Sequence, residues 1–115
     1  MSKKNCLAVN KPWGYFEQFT LNEKSTVKIL LVKSGESLSL QNHKKREELW
    51  IALDDGLIVQ IGNVKKKFKK GSSVFVKKGQ KHRLLAKKTA RVLEISFGIF
   101  DEKDIVRYED KYKRC

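Results

Sequence analysis

Short runs that either alternate apolar with polar or are continuously apolar recur along most of the chain. They are "STVKILLV" (25–32), "ESLSL" (36–40), "LWIAL" (49–53), "LIVQI" (57–61), "SVFV" (73–76), "HRLLA" (82–86) and "RVLEISF" (91–97). These runs are rich in β-branched residues and are separated by Gly- or Asp-bearing turns such as "KSGE", "DDG", "GN" and "KKGQ". Short strands at such spacing predict an all-β sandwich or barrel. The "DDG" at 54–56 predicts a tight hairpin laying 48–53 beside 57–61, because Asp and Gly tolerate positive φ. Only "DEKDIVRYEDKY" (101–112) has the look of a helix or structured tail. Pro12 in "KPWGYF" is expected to fix an extended entry, with Trp13 closing one end of the core.

Composition narrows the class. With 115 residues, 40% of them hydrophobic, the chain predicts one packed domain over 1–115 and no second core. No apolar run approaches the ~18–20 residues that span a bilayer, and the N-terminus lacks a signal-peptide pattern. The expectation is a cytoplasmic protein with no membrane partner. Cys6 and Cys115 stand near the two ends, outside any CxxC or His-linked pattern, and read as free thiols.

Charge changes the picture further. Twenty-six Lys and Arg against thirteen Asp and Glu give +13, so a polyanion must be considered. The clusters are "KKKFKK" (65–70), "KKGQK" (77–81) and "KK" (87–88). They are lysine, whereas arginine does the bidentate reading of bases and phosphates. No base-reading motif accompanies them, so no specific nucleic-acid partner is expected. A phosphorylated small molecule would gain from the same field.

Candidate chemistry concentrates in "QNHKKREELW" (41–50). With strands on either side, His43 and Lys45 share a face and Glu48 lies just beyond. His82, opening another strand, can converge on the same mouth. Two His and one carboxylate make a three-ligand metal set with open positions. Spacing alone favours the plainer reading, each His an ordinary surface or hydrogen-bonded residue, because no single short motif ties His82 to His43.

The run from Gly35 through His43 to Glu48, followed by Gly71, Gly79 and His82, resembles the paired motifs of the cupin superfamily, with Lys77 and Ala86 where the second motif has Pro and Asn. More closely, "KPWGYFEQF", "VKILLVKSGESLSLQ", "QNHKKREELW" and "DEKDIVRYEDKYKR" resemble the type II mannose-6-phosphate isomerase family. That domain also ends the bifunctional mannose-1-phosphate guanylyltransferase/mannose-6-phosphate isomerases. The likeness runs from Lys11 to Arg114; the guanylyltransferase portion has no counterpart in these residues.

The resemblance implies a double-stranded β-helix, the cupin jelly-roll barrel, with a short C-terminal helical or coiled tail and a homodimer formed through outer strands. It implies a divalent metal, zinc foremost, on His43, Glu48 and His82. Arg46, Lys45 and Glu94 become the catalytic candidates; Gln41, Arg46 and Arg83 become the substrate-binding ones. The implied partner is a phosphorylated hexose, and the implied reaction interconverts mannose 6-phosphate and fructose 6-phosphate for polysaccharide or nucleotide-sugar synthesis. The alternatives are a metal-free epimerase or ketoisomerase on another sugar phosphate, and a non-catalytic sugar-binding cupin.

Two positions depart from the family run: Lys45 replaces a ligand His, and Leu49 replaces the His before Trp50. An ammonium ~4 Å from a divalent ion costs roughly 8 kcal/mol at an effective dielectric of about 20. Lys45 therefore turns away from a three-ligand site, displaces the metal, or pairs with Glu48 in its place.

Overall fold

The computed structural model describes residues 7–38, 40–43, 46–98, 103 and 105–109. Their regular structure is antiparallel strand: β1 (Leu7–Lys11), β2 (Gly14–Gln18), β3 (Ser25–Val32), β4 (Leu40–His43), β5 (Glu47–Ala52), β6 (Leu57–Ile61), β7 (Val64–Phe68), β8 (Ser73–Val76), β9 (His82–Ala86), β10 (Ala90–Phe97) and β11 (Ile105–Glu109). One sheet runs β3-β10-β5-β8, a second runs β11-β4-β9-β6-β7, and β1 and β2 form a ribbon of their own. The two large sheets face one another and give the jelly roll that the resemblance implies.

Period-two alternation explains how the sheets close. In β9, His82, Leu84 and Ala86 are buried while Arg83 and Leu85 are only half-buried. Across the ladder, Ala86 pairs with Leu57, Leu84 with Val59 and His82 with Ile61, so one face of both strands turns into the barrel. From the opposite sheet, Trp50, Ala52, Val92, Ala90 and Val32 meet them in a continuous apolar cluster. Strand β5 is buried on both faces. Its other side, Leu49 and Ile51, joins Ile95 and Phe97 in a second cluster on the outer side of the sheet.

Several sequence expectations give way here. The "DDG" segment does not close a hairpin, since β5 pairs with β10 and β8 and β6 pairs with β7 and β9. It is a crossover between the two sheets. Gly56 does take φ 110, and a Cβ there would meet the Lys88 Cβ at 2.8 Å. The two aspartates anchor the crossover to other turns: Arg91 donates from Nε and Nη2 to Asp54 at 2.9 and 3.1 Å, and the Lys70 amide donates to Asp55 at 2.9 Å.

The expected helical or coiled tail is, over Ile105–Glu109, strand β11 paired with β4. The strand expected at 36–40 is reduced to an isolated bridge between Ser37 and Leu85, and pairing resumes at β4. Trp13 does not close the core; it is 73% exposed, in the turn of the β1–β2 hairpin where Lys11 faces Gly14. Cys6 and Cys115 lie outside the described residues. No helix among the described residues is long and apolar enough to cross a membrane.

Candidate functional site

Cross-strand register stacks the barrel interior in rows. At one end, Ser96 of β10 stands across from Glu48 of β5, and Glu48 across from Val76 of β8. One step deeper, Glu94 stands between Lys28 and Trp50. Deeper still come Val92 with Ala52, then Ala90 with Val32. The upper rows are polar and the lower rows apolar, so the chemistry sits at one mouth. Opposite this wall, Gln41 of β4 pairs with His82 of β9, which brings Gln41 to the same face as His82.

Four of these side chains form one buried cluster. Glu48 is 2% exposed, His82 1%, Arg46 3% and Ser96 1%. Arg46 Nε and Ser96 Oγ donate to Glu48 Oε2 at 3.1 and 3.0 Å. The other oxygen, Oε1, faces His82 Nε2 at 3.7 Å. His82 Nδ1 lies 2.8 Å from the Gln80 carbonyl oxygen. A carbonyl only accepts, so Nδ1 carries the hydrogen, and it is Nε2 that faces the carboxylate, with a lone pair to offer whenever the ring is neutral. The edge of the ring pair with Trp50, centroids 5.2 Å apart, holds that orientation.

Glu94 sits beside this cluster with its carboxyl raised from 4.5 to about 7. Burial is the main cause and repulsion from Glu48 the second, opposed by Lys28, Arg46 and the Trp50 indole. That indole N–H is fully buried and makes no hydrogen bond of standard geometry, so its influence on Glu94 is electrostatic rather than a formed bond. A buried carboxyl poised near neutrality, beside a second carboxylate and an imidazole, suits proton transfer.

The donor chemistry bears on a metal. Two ligands at about 2.1 Å from one tetrahedral ion stand about 3.4 Å apart, close to the 3.7 Å between His82 Nε2 and Glu48 Oε1. This pair fits two positions of a divalent ion, and the Gln80 carbonyl supplies the usual outer partner of a ligand His. Among the described residues no group of three His, Cys, Asp or Glu side chains is placed to hold one. His43 stands on β4 across from Ile105; its side chain, and Lys45 altogether, lie outside the described residues.

The remaining candidates separate. Arg83 follows His82 by one residue and therefore occupies the opposite face of the sheet, where its Nε donates to Gln60 Oε1 at 2.9 Å. It does not join Arg46, Glu48 and His82. Leu49 likewise alternates away from Glu48 into the outer apolar cluster, so a histidine there would not line the mouth. Ser96 was not among the sequence candidates. Its signal was available: it shares parity with Glu94 in "RVLEISF", two residues on. Two surface clefts of ≈ 430 and ≈ 420 Å³ lie elsewhere, one along Leu31–Leu38 and one among Asp55–Ile58, Phe68 and Lys87–Lys88.

Known proteins match this architecture. The family model described as "Mannose-6-phosphate isomerase C-terminal" matches residues 2–110. The mannose-1-phosphate guanylyltransferase ManC of Salmonella typhimurium is 33% identical over 109 residues, 92% of this chain and 23% of its own length. The xanthan biosynthesis protein XanB of Xanthomonas campestris is 34% identical over 109 residues, again 92% and 23%. This chain thus spans under a quarter of the curated relatives it matches. Among solved structures, the capsular polysaccharide assembling protein CapF of Staphylococcus aureus superposes with a TM-score of 0.67 at 15% identity. The match covers 90% of this chain and 34% of that one, a likeness of fold alone.

Proposed function

The chain belongs to the mannose-6-phosphate isomerase C-terminal family, and from that premise we propose that it is a sugar-phosphate cupin interconverting mannose 6-phosphate and fructose 6-phosphate. The observation that carries this reading is Glu94, a buried carboxyl held at about 7 inside the barrel mouth. Aldose–ketose isomerisation moves a proton between C1 and C2 through an enediol, and the base must accept and return that proton near neutral pH. A carboxyl held near 7 does both. The ordinary carboxyl of Asp or Glu, well below that range, returns protons poorly.

Arg46 and Lys45 are the cationic candidates for the developing oxyanion, and Lys45 is the second candidate proton carrier. Gln41, paired with His82 across the ladder, is the candidate to accept from or donate to a sugar hydroxyl. Glu48 and His82 would hold a divalent ion, with His43 as the third ligand. Such an ion, when bound, supplies Lewis-acid stabilisation of the carbonyl and enediolate oxygens. The names of the relatives, for xanthan synthesis and mannose-1-phosphate guanylyltransfer, support a role in supplying activated mannose for polysaccharide.

A second reading rests on the Arg46–Glu48 ion pair. Both side chains are 3% exposed, and the pair already neutralises one carboxylate without a metal. In that reading the site is a metal-free isomerase or sugar-binding pocket on the same fold.

The test is a coupled assay for fructose 6-phosphate from mannose 6-phosphate, with and without zinc, on the full chain and on Glu94→Gln. Turnover that falls at least ~100-fold in Glu94→Gln, with the fold retained, supports isomerisation by this base. Zinc-independent turnover moves the assignment to the metal-free reading. Absence of turnover, with mannose 6-phosphate raising Tm more than mannose does, leaves a sugar-phosphate-binding cupin.

A further inference from the structure

Lysines from three separate segments meet around one cleft at the floor end of the barrel. The cleft measures ≈ 420 Å³, and Lys67 of β7, Lys69 beyond it, and Lys87 and Lys88 after β9 line it together with Ile58 of β6. Every residue that lines it belongs to the described part of the chain. Along β6, Leu57 and Val59 fill the core, so Ile58 between them lies on the outer face of the sheet. Ile61, which pairs with His82 at the mouth, is three residues further along, about 10 Å. The cleft is therefore outside the barrel and apart from the site described above.

The backbone sets the lysines on two flanks. Ile58 pairs with Lys67 on one side and with Leu85 on the other. Two residues beyond that row come Lys69 and Lys87, with Gly56 between their strands. The Lys87 amide donates to the Gly56 carbonyl at 2.8 Å, which extends the ladder past the end of β9. Only glycine permits this approach, because a Cβ at Gly56 would meet the Lys88 Cβ at 2.8 Å. Among the described residues none of the four ammoniums makes an ion pair. The one carboxylate in the lining, Asp55, already accepts the Lys70 amide at 2.9 Å. Four ammoniums against one carboxylate leave the lining at +3, a repulsion that the fold itself does not relieve and an anion would.

We propose that this cleft binds a diphosphate, either inorganic pyrophosphate or the diphosphate of a nucleotide. Charge is the first argument: with a last phosphate pKa of about 6, a diphosphate carries roughly −3 at neutral pH, which matches the lining. Span is the second. Strands β7 and β9 stand on either side of β6, about 9.6 Å apart, so a monophosphate held by one flank leaves the other flank unpaired, whereas a diphosphate reaches both. Lysine serves phosphate as a point charge and needs no fixed fork, which accounts for lysine here without arginine. The volume is within the range of small-molecule sites, about 300–1,000 Å³, and Ile58 offers an apolar wall beside the charges. The proposal stands whether or not the mouth isomerises a sugar phosphate.

Isothermal titration calorimetry of the full chain at ~150 mM salt tests this with sodium pyrophosphate, ADP and, for comparison, inorganic phosphate. Pyrophosphate is expected to bind at least ~10-fold more tightly than phosphate. ADP binding tighter still supports a nucleotide as the source, its base lying on Ile58; ADP binding no tighter supports the inorganic anion. Lys67→Glu combined with Lys88→Glu should weaken pyrophosphate at least ~10-fold. Lys77→Glu combined with Lys78→Glu changes the net charge equally but away from the cleft, and should weaken it less than ~2-fold. Equal losses in the two double variants would trace binding to overall charge and overturn the proposal. Pyrophosphate that fails to bind, or binds no tighter than phosphate, overturns it too. So does displacement of pyrophosphate by mannose 6-phosphate, which would put the anion in the mouth. Far-UV circular dichroism checks that the variants keep their strands. Should the charge reversal at the cleft fail to fold, Lys67→Ala with Lys88→Ala decides, with a loss of at least ~5-fold expected.

Discussion

The mouth and the floor of the barrel are built from the same strands, yet they are held together by different physics. At the mouth, Glu48, Arg46, His82, Ser96 and Glu94 are buried polar groups. At the floor, Val32, Ala52, Leu57, Val59, Ala86, Ala90 and Val92 are buried and apolar. Floor residues gain from leaving water in proportion to area. Mouth residues lose solvation and recover it only through specific partners. The floor therefore tolerates exchange of one apolar residue for another of similar volume, while the mouth depends on each partner being present. A fold concerned with stability alone would extend the floor upward; the polar rows are where this one departs from that.

Removing Glu48 should have the largest effect. Glu48→Ala takes the carboxylate from an Arg46 guanidinium that is 3% exposed and from His82 and Ser96 together. Breaking a buried pair at one side costs about 3–5 kcal/mol, and urea denaturation should show it. The isomerase activity proposed above should vanish with it. A loss below ~1 kcal/mol would mean that water reaches the mouth freely and that the two regions do not differ as described.

At the floor, Leu84→Ala should cost about 3 kcal/mol through lost transfer energy and the cavity left behind, since Leu84 is 0% exposed. Activity per folded molecule should remain near wild type, because Leu84 contributes no polar atom to the mouth. Loss of activity without loss of stability would show that the floor positions the mouth more tightly than the layering suggests.

Glu94 separates the two regions by pH. Its folded pKa, about 7, lies above the ordinary 4.5, so between those values the native state binds more protons than the unfolded state. Stability therefore falls as pH rises through that window, by up to about 3 kcal/mol, and the loss is complete above pH 7. Glu94→Gln should flatten this dependence, leaving the variant relatively more stable at pH 8 than at pH 5 when each is compared with wild type. Thermal melts across pH 4.5–8 check it. Parallel profiles for the two proteins would place the Glu94 carboxyl in water rather than in the barrel.

The floor was easier to read from sequence than the mouth, for a physical reason. Strands β3, β6, β8 and β9 have the bounds that alternation predicts, because apolar burial on one face imposes period two. Strand β7 carries lysines on both faces of an edge and shows no such period. Strand β11 looks helical by composition but takes its conformation from pairing with β4. The ribbon's Trp13 read as core because size and apolarity do not say whether a residue is covered; it is 73% exposed. "DDG" announced a turn correctly but not which strands would pair across it, since pairing partners are chosen by the whole sheet. At the mouth, parity alone puts Glu48, Glu94 and Ser96 inside and turns Leu49 away. It likewise separates Arg83 from His82. The Arg46–Glu48 pairing, by contrast, depends on how a loop approaches a strand, which alternation cannot specify.

Ser96 gives the smallest of these effects and the most direct reading of how the mouth is held. Its hydroxyl donates to Glu48 Oε2 at 3.0 Å, the same oxygen that receives Arg46 Nε at 3.1 Å. Ser96→Ala removes one of these two donors and leaves the other, so the carboxylate stays partnered and nothing charged is stranded. A hydrogen bond to a charged acceptor contributes about 1.5–3 kcal/mol, less here because the methyl group regains some apolar burial; about 1 kcal/mol is the expected loss. With one donor to Oε2 removed, the carboxylate is held less firmly, and Oε1 loses its set position 3.7 Å from His82 Nε2. Zinc affinity measured by competition with a chromophoric chelator should then fall by about 10-fold, within the range for outer partners of a ligand. An unchanged zinc affinity at a reduced melting temperature would assign Ser96 to the stability of the sheet alone and leave Glu48 positioned by Arg46.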